Sequence, residues 1–208
     1  MPSSDSPRDR RIVILRHGET DWAREGRHTG RTDVPLTDLG EQQARQLGPA
    51  IDALELRDPL VLVSPRRRAQ ETALLAGLKI HRTWDALAEW DYGIYEGKTL
   101  PEIRRDVPDW TIWTHPCPKG ELAEQVHTRC GLVTSVTHSQ LPDRDVILVG
   151  HGHFSRALIA RWIELPLIEG RRFAMVPASY SVLGFEYGAE QVISHNVTIE
   201  HTKTRQDG

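Results

Sequence analysis

One ten-residue stretch decides the fold: RIVILRHGET, residues 11–20. Its first half is apolar and rich in β-branched residues, whereas its second half is polar and charged. Such a pattern predicts a buried strand over Arg10–Leu15 that presents the cluster Arg16–Thr20 at its carboxyl end.

The same arrangement occurs twice more along the chain. Leu60–Val63 is followed by the arginine-rich segment 64–68, and Asp145–Gly150 is followed by His151-Gly152-His153. Apolar strands without alternation, each followed by a helix, indicate an α/β protein, a three-layer α/β/α sandwich with a mainly parallel sheet. Ligands bind beyond the carboxyl ends of such strands, so we expect the two histidine loops and the arginine cluster to converge.

The remaining pattern completes one domain, predicted over residues 10–200 between a disordered leader (1–9) and a flexible tail (201–208). Periodicity and caps predict four helices, a short edge strand and a terminal hairpin. The helices are predicted at Asp38–Leu54 (capped by Thr37), Arg67–Gly77, Glu121–Leu141 and Phe154–Glu164. The edge strand is predicted at Lys79–Thr83, and the two hairpin strands at Ser181–Tyr187 and Gln191–Val197, on either side of Gly188-Ala189. Residues 84–120 read as an irregular insert with one short helix near Glu102.

Composition excludes several classes of protein. Apolar residues, with glycine counted and tyrosine left out, make up about 44% of 208 residues, which is typical of a globular domain. A net charge of −3 gives no reason to expect nucleic acid or an anionic membrane as a partner. The apolar run 12–15 is too short for a signal peptide, and two cysteines are too few for a disulfide framework. We therefore expect a cytoplasmic protein.

The charged strand ends favour an anion site. Arg66, Arg67 and Arg68 lie at a helix start, where the macrodipole disfavours cations, and only one of the three is expected to face the site. His151 and His153 have a spacing that metal ligands also use, but no cysteine or acidic residue nearby completes a ligand set. A phosphate pocket of two arginines and two histidines fits the same residues better.

Five ordered motifs then carry a resemblance over residues 11–165. They are Arg16-His17-Gly18-Glu19-Thr20, Thr29-Gly30, Ser64-Pro65 with Arg68-Ala69 and Thr72-Ala73, Glu89 with Tyr92-Gly93, and Gly150-His151-Gly152. Together they resemble the histidine phosphatase superfamily, the phosphoglycerate-mutase-like group. Within it the chain resembles most the bacterial acid phosphatases that often bear the mutase name, and it also resembles sedoheptulose-bisphosphatase-type members.

The resemblance implies a role for each matching residue. His17 would be the nucleophile, Glu89 the proton donor to the leaving alcohol, and Arg16, Arg68 and His151 the phosphoryl-binding groups. The backbone amide of Gly152 and the Thr29-Gly30 loop would complete the phosphate pocket. Tyr92, Trp113 and His153 would border it.

Elementary chemistry agrees with these roles. Fixed positive charge from Arg16 and Arg68 stabilises a transferring phosphoryl group, so no metal or other cofactor is expected. The same charges should lower the pKa of His17 and keep it neutral and nucleophilic. Glu89 must hold a proton when the ester oxygen departs, so activity is expected to be highest on the acid side of neutrality.

The sequence favours a phosphatase over a mutase. The 61 residues between Glu89 and His151 are fewer than in the family's mutases, and they carry few basic residues, so water is favoured as the phosphoryl acceptor. Ala23 stands where many members have an asparagine that contacts phosphate, which further weakens the case for mutase chemistry, and Glu71 replaces a common glutamine. A module that binds phosphorylated ligands without turnover is disfavoured because His17 and Glu89 are both present.

Substrate and assembly are less defined. The expected partner is a small phosphomonoester, hydrolysed by an acid phosphatase; the alternatives are a cofactor-dependent phosphoglycerate mutase and a sedoheptulose-bisphosphatase-type sugar phosphatase. The insert 84–120, with Trp110 and Trp113, either borders the pocket or packs on the domain as a tryptophan-anchored loop. The terminal hairpin permits a homodimer without requiring one.

Overall fold

The computed structural model describes residues 11–199, which form one six-stranded sheet covered by helices on both faces. The predicted leader and tail lie outside the described residues. The strands are β1 (Ile12–Arg16), β2 (Leu60–Val63), β3 (Arg82–Thr83), β4 (Val146–Gly150), β5 (Ser179–Glu186) and β6 (Ala189–Thr198). The α-helices are α1 (Asp21–Arg24), α2 (Asp38–Asp52), α3 (Arg67–Leu75), α4 (Leu100–Asp106), α5 (Ala123–Gln140) and α6 (Gly152–Trp162).

The sheet order is β3-β2-β4-β1-β5-β6. The first four strands in this order run parallel, and β5 and β6 join antiparallel at one edge. The register pairs Arg16 with Gly150 and Val63 with Val149. The three loops that follow β1, β2 and β4 therefore leave the sheet side by side, as the sequence predicted.

Two apolar layers hold the sheet between its helices, because alternate side chains of each strand point to opposite faces. Ile12 and Ile14 of β1 pack in one layer, whereas Val13 and Leu15 pack in the other. The first layer also contains Trp90 and Trp110, so the insert 84–120 is packed on the domain. The four apolar side chains of β1, Ile12 to Leu15, are at most 2% exposed, which explains why β1 shows no alternation in the sequence.

Element bounds differ from the sequence prediction by up to three residues: the edge strand predicted at Lys79–Thr83 is only Arg82–Thr83, and α5 begins at Ala123 instead of Glu121. Three other differences have an identifiable local geometry. Helix α1 is missing from the prediction; it is only four residues long and is capped by the Thr20 hydroxyl, which accepts from the Ala23 amide. Helix α6 begins at Gly152, two residues before the predicted start, and its first turn is capped from a distant segment. The hairpin turns at Tyr187-Gly188, one residue early, with Tyr187 at a φ of 51° where glycine or asparagine is usual.

None of the helices between residues 11 and 199 is both long enough and apolar enough to span a membrane.

Candidate active site

His17 directly follows β1 and is 4% exposed. Its Nδ1–H donates to the carbonyl of Gly18 at 2.7 Å, since a carbonyl can only accept. The lone pair of the neutral ring is therefore on Nε2, which the Nε–H of Arg68 approaches at 3.3 Å. Backbone bonds from His17 N to Gly150 O and from Ala178 N to His17 O fix the residue on both sides. The ring thus presents one oriented nitrogen lone pair beside a cation.

Arg68 is the arginine of its cluster that contacts the His17 ring, while half-buried Arg66 acts through its charge on Arg68 and His151. The Arg68 side chain is fully buried, whereas Arg67 is exposed and pairs with Glu71 at 2.6 Å. The Arg68 guanidinium also donates to the carbonyls of Thr32 and Thr29 at 2.9 Å. Burial lowers the pKa of Arg68 to about 10, so the group stays protonated at neutral pH.

Arg16 brings a second guanidinium to the same place. It donates to the carbonyl of Met175, and its Nε is buried with no hydrogen-bond partner among the described residues. A Cβ placed on Gly152 would lie 3.2 Å from the Arg16 Cζ, so the glycine lets the guanidinium lie against the first turn of α6. A buried donor without a partner is costly, and an anion in the cavity would satisfy it.

His151 completes the cluster from the end of β4. Its ring centroid lies 5.2 Å from that of His17, and its Nε2 is 2.6 Å from the Ser64 hydroxyl. The other nitrogen, Nδ1, is buried and has no partner within residues 11–199. His151 therefore offers a second unsatisfied polar atom beside the predicted nucleophile.

Glu89 reaches the site from the insert and is 8% exposed. One carboxylate oxygen accepts from the amides of Trp90 and Phe154, both at 2.8 Å, and the other accepts from the amide of His153 at 2.9 Å. Two of these amides belong to the first turn of α6, whose orphan donors need partners. This long-range cap explains why α6 starts earlier than its own sequence predicts.

A cavity of about 280 Å³ opens beside these residues. Four residues of the predicted reacting end lie on its wall: Arg16, His17, Glu89 and Gly152. The other residues that line the cavity are Thr20, Ala23, Gly26, Arg27, His28, Thr29, Tyr92, Leu100, His153, Arg156 and Met175. The insert thus borders the cavity through Glu89, Tyr92 and Leu100, so both interpretations of residues 84–120 apply to different parts of it.

Four predicted site residues are not among those that line the cavity: Arg68 and His151, which contact or adjoin the His17 ring, and Gly30 and Trp113. The Trp113 ring packs against two other rings instead: its centroid lies 5.6 Å from that of His153 and 5.8 Å from that of Trp90. The Gly30 amide is bound to both oxygens of Glu96 at 3.0 Å, so Thr29 alone of that pair lines the cavity. Ala23, which stands in place of the family's common asparagine, does lie on the wall.

The sequence prediction missed His28 and Arg156. The His28 Nδ1–H donates to the Lys98 carbonyl at 2.9 Å, and its ring stacks on His153 with centroids 5.9 Å apart. No local pattern marks His28. Arg156, in contrast, follows Gly152 by four residues, and this spacing on a helix places both on one face.

The metal interpretation gains no support from the geometry. His151 bonds Ser64, whereas the His153 Nδ1 lies 2.7 Å from the Tyr92 hydroxyl, so the two histidines have separate partners. Across residues 11–199 no three His, Cys, Asp or Glu side chains are grouped to hold a metal ion.

The electrostatics of the site keeps its histidines neutral. Burial, followed by the charges of Arg68 and Arg16, holds the pKa of His17 well below its ordinary value. Burial is also the largest cause for His151 and His153, whose pKa values are likewise well below the usual range, and it lowers the pKa of His28. The lowered pKa of His17 matches the sequence-based expectation, although burial contributes more than the arginines.

Stability should therefore fall in acid. The unfolded chain takes up protons on these histidines below about pH 6.5, whereas the folded site does not, so unfolding is favoured as pH drops. Each histidine that stays neutral in the folded chain lowers the free energy of unfolding by about 1.4 kcal/mol for every pH unit below that value. Urea unfolding between pH 7.5 and 5, without phosphate, would measure the slope; His151→Gln should reduce it and exposed His127→Gln should not. A pH-independent free energy of unfolding would contradict the neutral-histidine site.

Comparison with known proteins agrees with this geometry. The family model described as the histidine phosphatase superfamily (branch 1) matches residues 12–198. An acid phosphatase of Mycobacterium tuberculosis H37Rv is 52% identical over 185 residues, covering 89% of this chain and 91% of that protein. The sedoheptulose 1,7-bisphosphatase of Saccharomyces cerevisiae is 32% identical over 74% of this chain and 68% of its own length.

The fold agrees as well. A solved structure of an open-reading-frame product of Mycobacterium tuberculosis superimposes with a TM-score of 0.91 at 51% identity. The alignment covers 92% of this chain and 99% of that one.

Proposed function

The chain belongs to the histidine phosphatase superfamily (branch 1) and is a phosphatase, and on this premise we propose that it hydrolyses small phosphomonoesters through a phosphohistidine on His17. One observation carries the proposal: a buried, neutral His17 whose Nε2 lone pair faces the cation of Arg68. The Gly18 carbonyl holds the ring in the tautomer that can attack phosphorus, and the Arg68 N–H gives up the Nε2 lone pair for a phosphoryl oxygen when substrate binds.

In the first step the His17 Nε2 lone pair attacks phosphorus, the N–P bond forms, and the P–O bond to the alcohol breaks. Arg16 and Arg68 bind the equatorial oxygens, on which most of the charge lies. The unpartnered Arg16 Nε–H gains an acceptor in this complex, the unpartnered His151 Nδ1 gains a hydrogen-bond partner, and the amide of Gly152 at the α6 N-terminus adds another donor. Charge is thus stabilised by groups that are already in place.

Glu89 supplies the proton that the departing alkoxide needs. Its three backbone bonds fix the carboxyl group at the cavity wall, so its position does not depend on the substrate. In the second step water takes the place of the alcohol, Glu89 accepts a proton from it, and the new P–O bond replaces the N–P bond. Phosphate leaves, and His17 and Glu89 return to their starting states.

The size of the cavity supports a small metabolite as substrate. About 280 Å³ is just below the range for small-molecule sites, roughly 300–1,000 Å³, and fits a phosphate with a short carbon chain. The cytoplasmic location and the homodimer expected from the sequence stay predictions.

Phosphate release from p-nitrophenyl phosphate and from 3-phosphoglycerate tests the proposal. We expect EDTA to leave the rate unchanged, because the arginines supply the positive charge. Vanadate should inhibit competitively, since it takes the five-coordinate geometry of the transferring phosphoryl group. Loss of activity in EDTA with recovery in Zn²⁺, or conversion of 3-phosphoglycerate to its isomer without phosphate release, would contradict it.

A further inference from the structure

Arg156 extends the cavity beyond the phosphate-binding end. It lies four residues after Gly152 on α6, so both face the same wall, about 6 Å apart along the helix axis. The residue is half-buried, and its charge acts on Glu89 and Tyr92 across the cavity. Its backbone thus lies about one helical turn from the α6 N-terminus, where the proposed function places the reacting phosphoryl group.

Backbone carbonyls and a tryptophan hold the guanidinium in place. Its Nε donates to the Gly170 carbonyl at 3.1 Å and its Nη2 to the Arg171 carbonyl at 3.0 Å, while its Cζ lies 5.0 Å from the centroid of the Trp113 ring. None of these partners carries a negative charge. Arg156 is therefore oriented without being neutralised, which is how a site for an anion is built.

The other charged groups on the wall have different partners. Arg27 is paired with Glu25 at 2.6 Å, and Arg16, which donates to the Met175 carbonyl, binds the reacting phosphoryl group in the proposed function. Glu89 is the one carboxylate among the residues that line the cavity, and the reaction needs it protonated. A substrate with a single phosphate would leave the positive charge of Arg156 uncompensated.

We propose that Arg156 binds a second anionic group of the substrate, a carboxylate or a second phosphate, about one helical turn from the reacting phosphorus. The inference rests on the proposed function and narrows its substrate class to phosphomonoesters that carry a second acid group. The rings of His28 and His153 also line the cavity and can exchange hydrogen bonds with the substrate's hydroxyl groups. Trp113, predicted to border the pocket, then acts from behind by positioning Arg156.

Matched pairs of substrates test the proposal with Arg156→Gln and Arg156→Lys. In one pair 3-phosphoglycerate is compared with glycerol 3-phosphate, which has a hydroxymethyl group in place of the carboxylate. In the other, fructose 1,6-bisphosphate is compared with fructose 6-phosphate. We expect Arg156→Gln to lower kcat/KM about 10- to 100-fold, chiefly through KM, for the doubly anionic member of at least one pair. The pair that responds identifies the second anion, and the neutral-tailed members should change less than about threefold.

Arg156→Lys separates charge from structure, because lysine keeps the charge but loses the two-carbonyl clamp. It should retain part of the preference for the second anion. Arg171→Gln is the matched control. It removes a neighbouring exposed charge and should leave the ratio of kcat/KM between the two members of each substrate pair unchanged.

Other outcomes overturn the proposal. Equal losses for both members of each pair, with Lys no better than Gln, would make Arg156 a structural residue. Wild-type enzyme without preference in either pair would also refute the second-anion site, while phosphate release from p-nitrophenyl phosphate would leave the proposed phosphatase chemistry standing. Absence of phosphate release from every ester would instead refute the proposed function itself.

Discussion

His17→Ala will lower turnover by about 10⁴- to 10⁶-fold, the loss typical of removing the nucleophile of a covalent mechanism. The variant should stay folded, because the backbone bonds that fix residue 17 to Gly150 and Ala178 do not use the imidazole. Thermal unfolding should confirm this, and phosphate release under identical conditions gives the loss. Exposed His127→Ala is the control and should retain wild-type activity.

The covalent intermediate itself can be trapped. With ³²P-labelled substrate, an alkaline quench should retain label on the wild-type chain and an acid quench should release it, because phosphohistidine is labile in acid. His17→Ala should retain none under either condition. Label that survives acid, or label on the His17→Ala chain, would assign the nucleophile to another residue.

Glu89→Gln will slow esters of poor leaving groups about 10²- to 10⁴-fold, because glutamine cannot donate the proton that an alkoxide needs. The effect on p-nitrophenyl phosphate should be about tenfold or less, since p-nitrophenolate leaves with little protonation. The measurement is the fold-loss in rate that Glu89→Gln causes with glycerol 3-phosphate, divided by the fold-loss that it causes with p-nitrophenyl phosphate.

The ratio matters because the substitution also has a structural cost. Both oxygens of Glu89 accept backbone N–H groups, and the glutamine NH₂ would replace one acceptor with a donor facing another donor. That mismatch costs about 1–3 kcal/mol of stability and acts on both substrates alike. Asp91→Asn is the control. Asp91 pairs with exposed Arg31 at 2.6 Å and is not among the residues that line the cavity, so this variant should leave the rates with both esters unchanged. Equal losses for the two esters would make Glu89 a purely structural cap of α6.

The sequence predicted the sheet and the reacting end of the site for a physical reason. A buried parallel strand needs an uninterrupted apolar run, so β1, β2 and β4 are visible in local composition. Since their carboxyl ends share one edge, the positions of His17, Arg68 and His151 follow from topology. Recognising Glu89 as the acid, in contrast, required the family resemblance, because the irregular insert carries no periodic signal.

The amino-acid sequence by itself determined the strands, the major helices and the motifs that place His17 beside Arg68 and His151. Only the tertiary structure decided the start of α6, the Gly30 amide bonded to Glu96, and the position of Trp113 behind the wall. It also decided that His28 and Arg156 line the cavity. Local sequence encodes periodicity and capping, but these contacts join residues far apart in the chain, and their free energy exists only once both segments have packed.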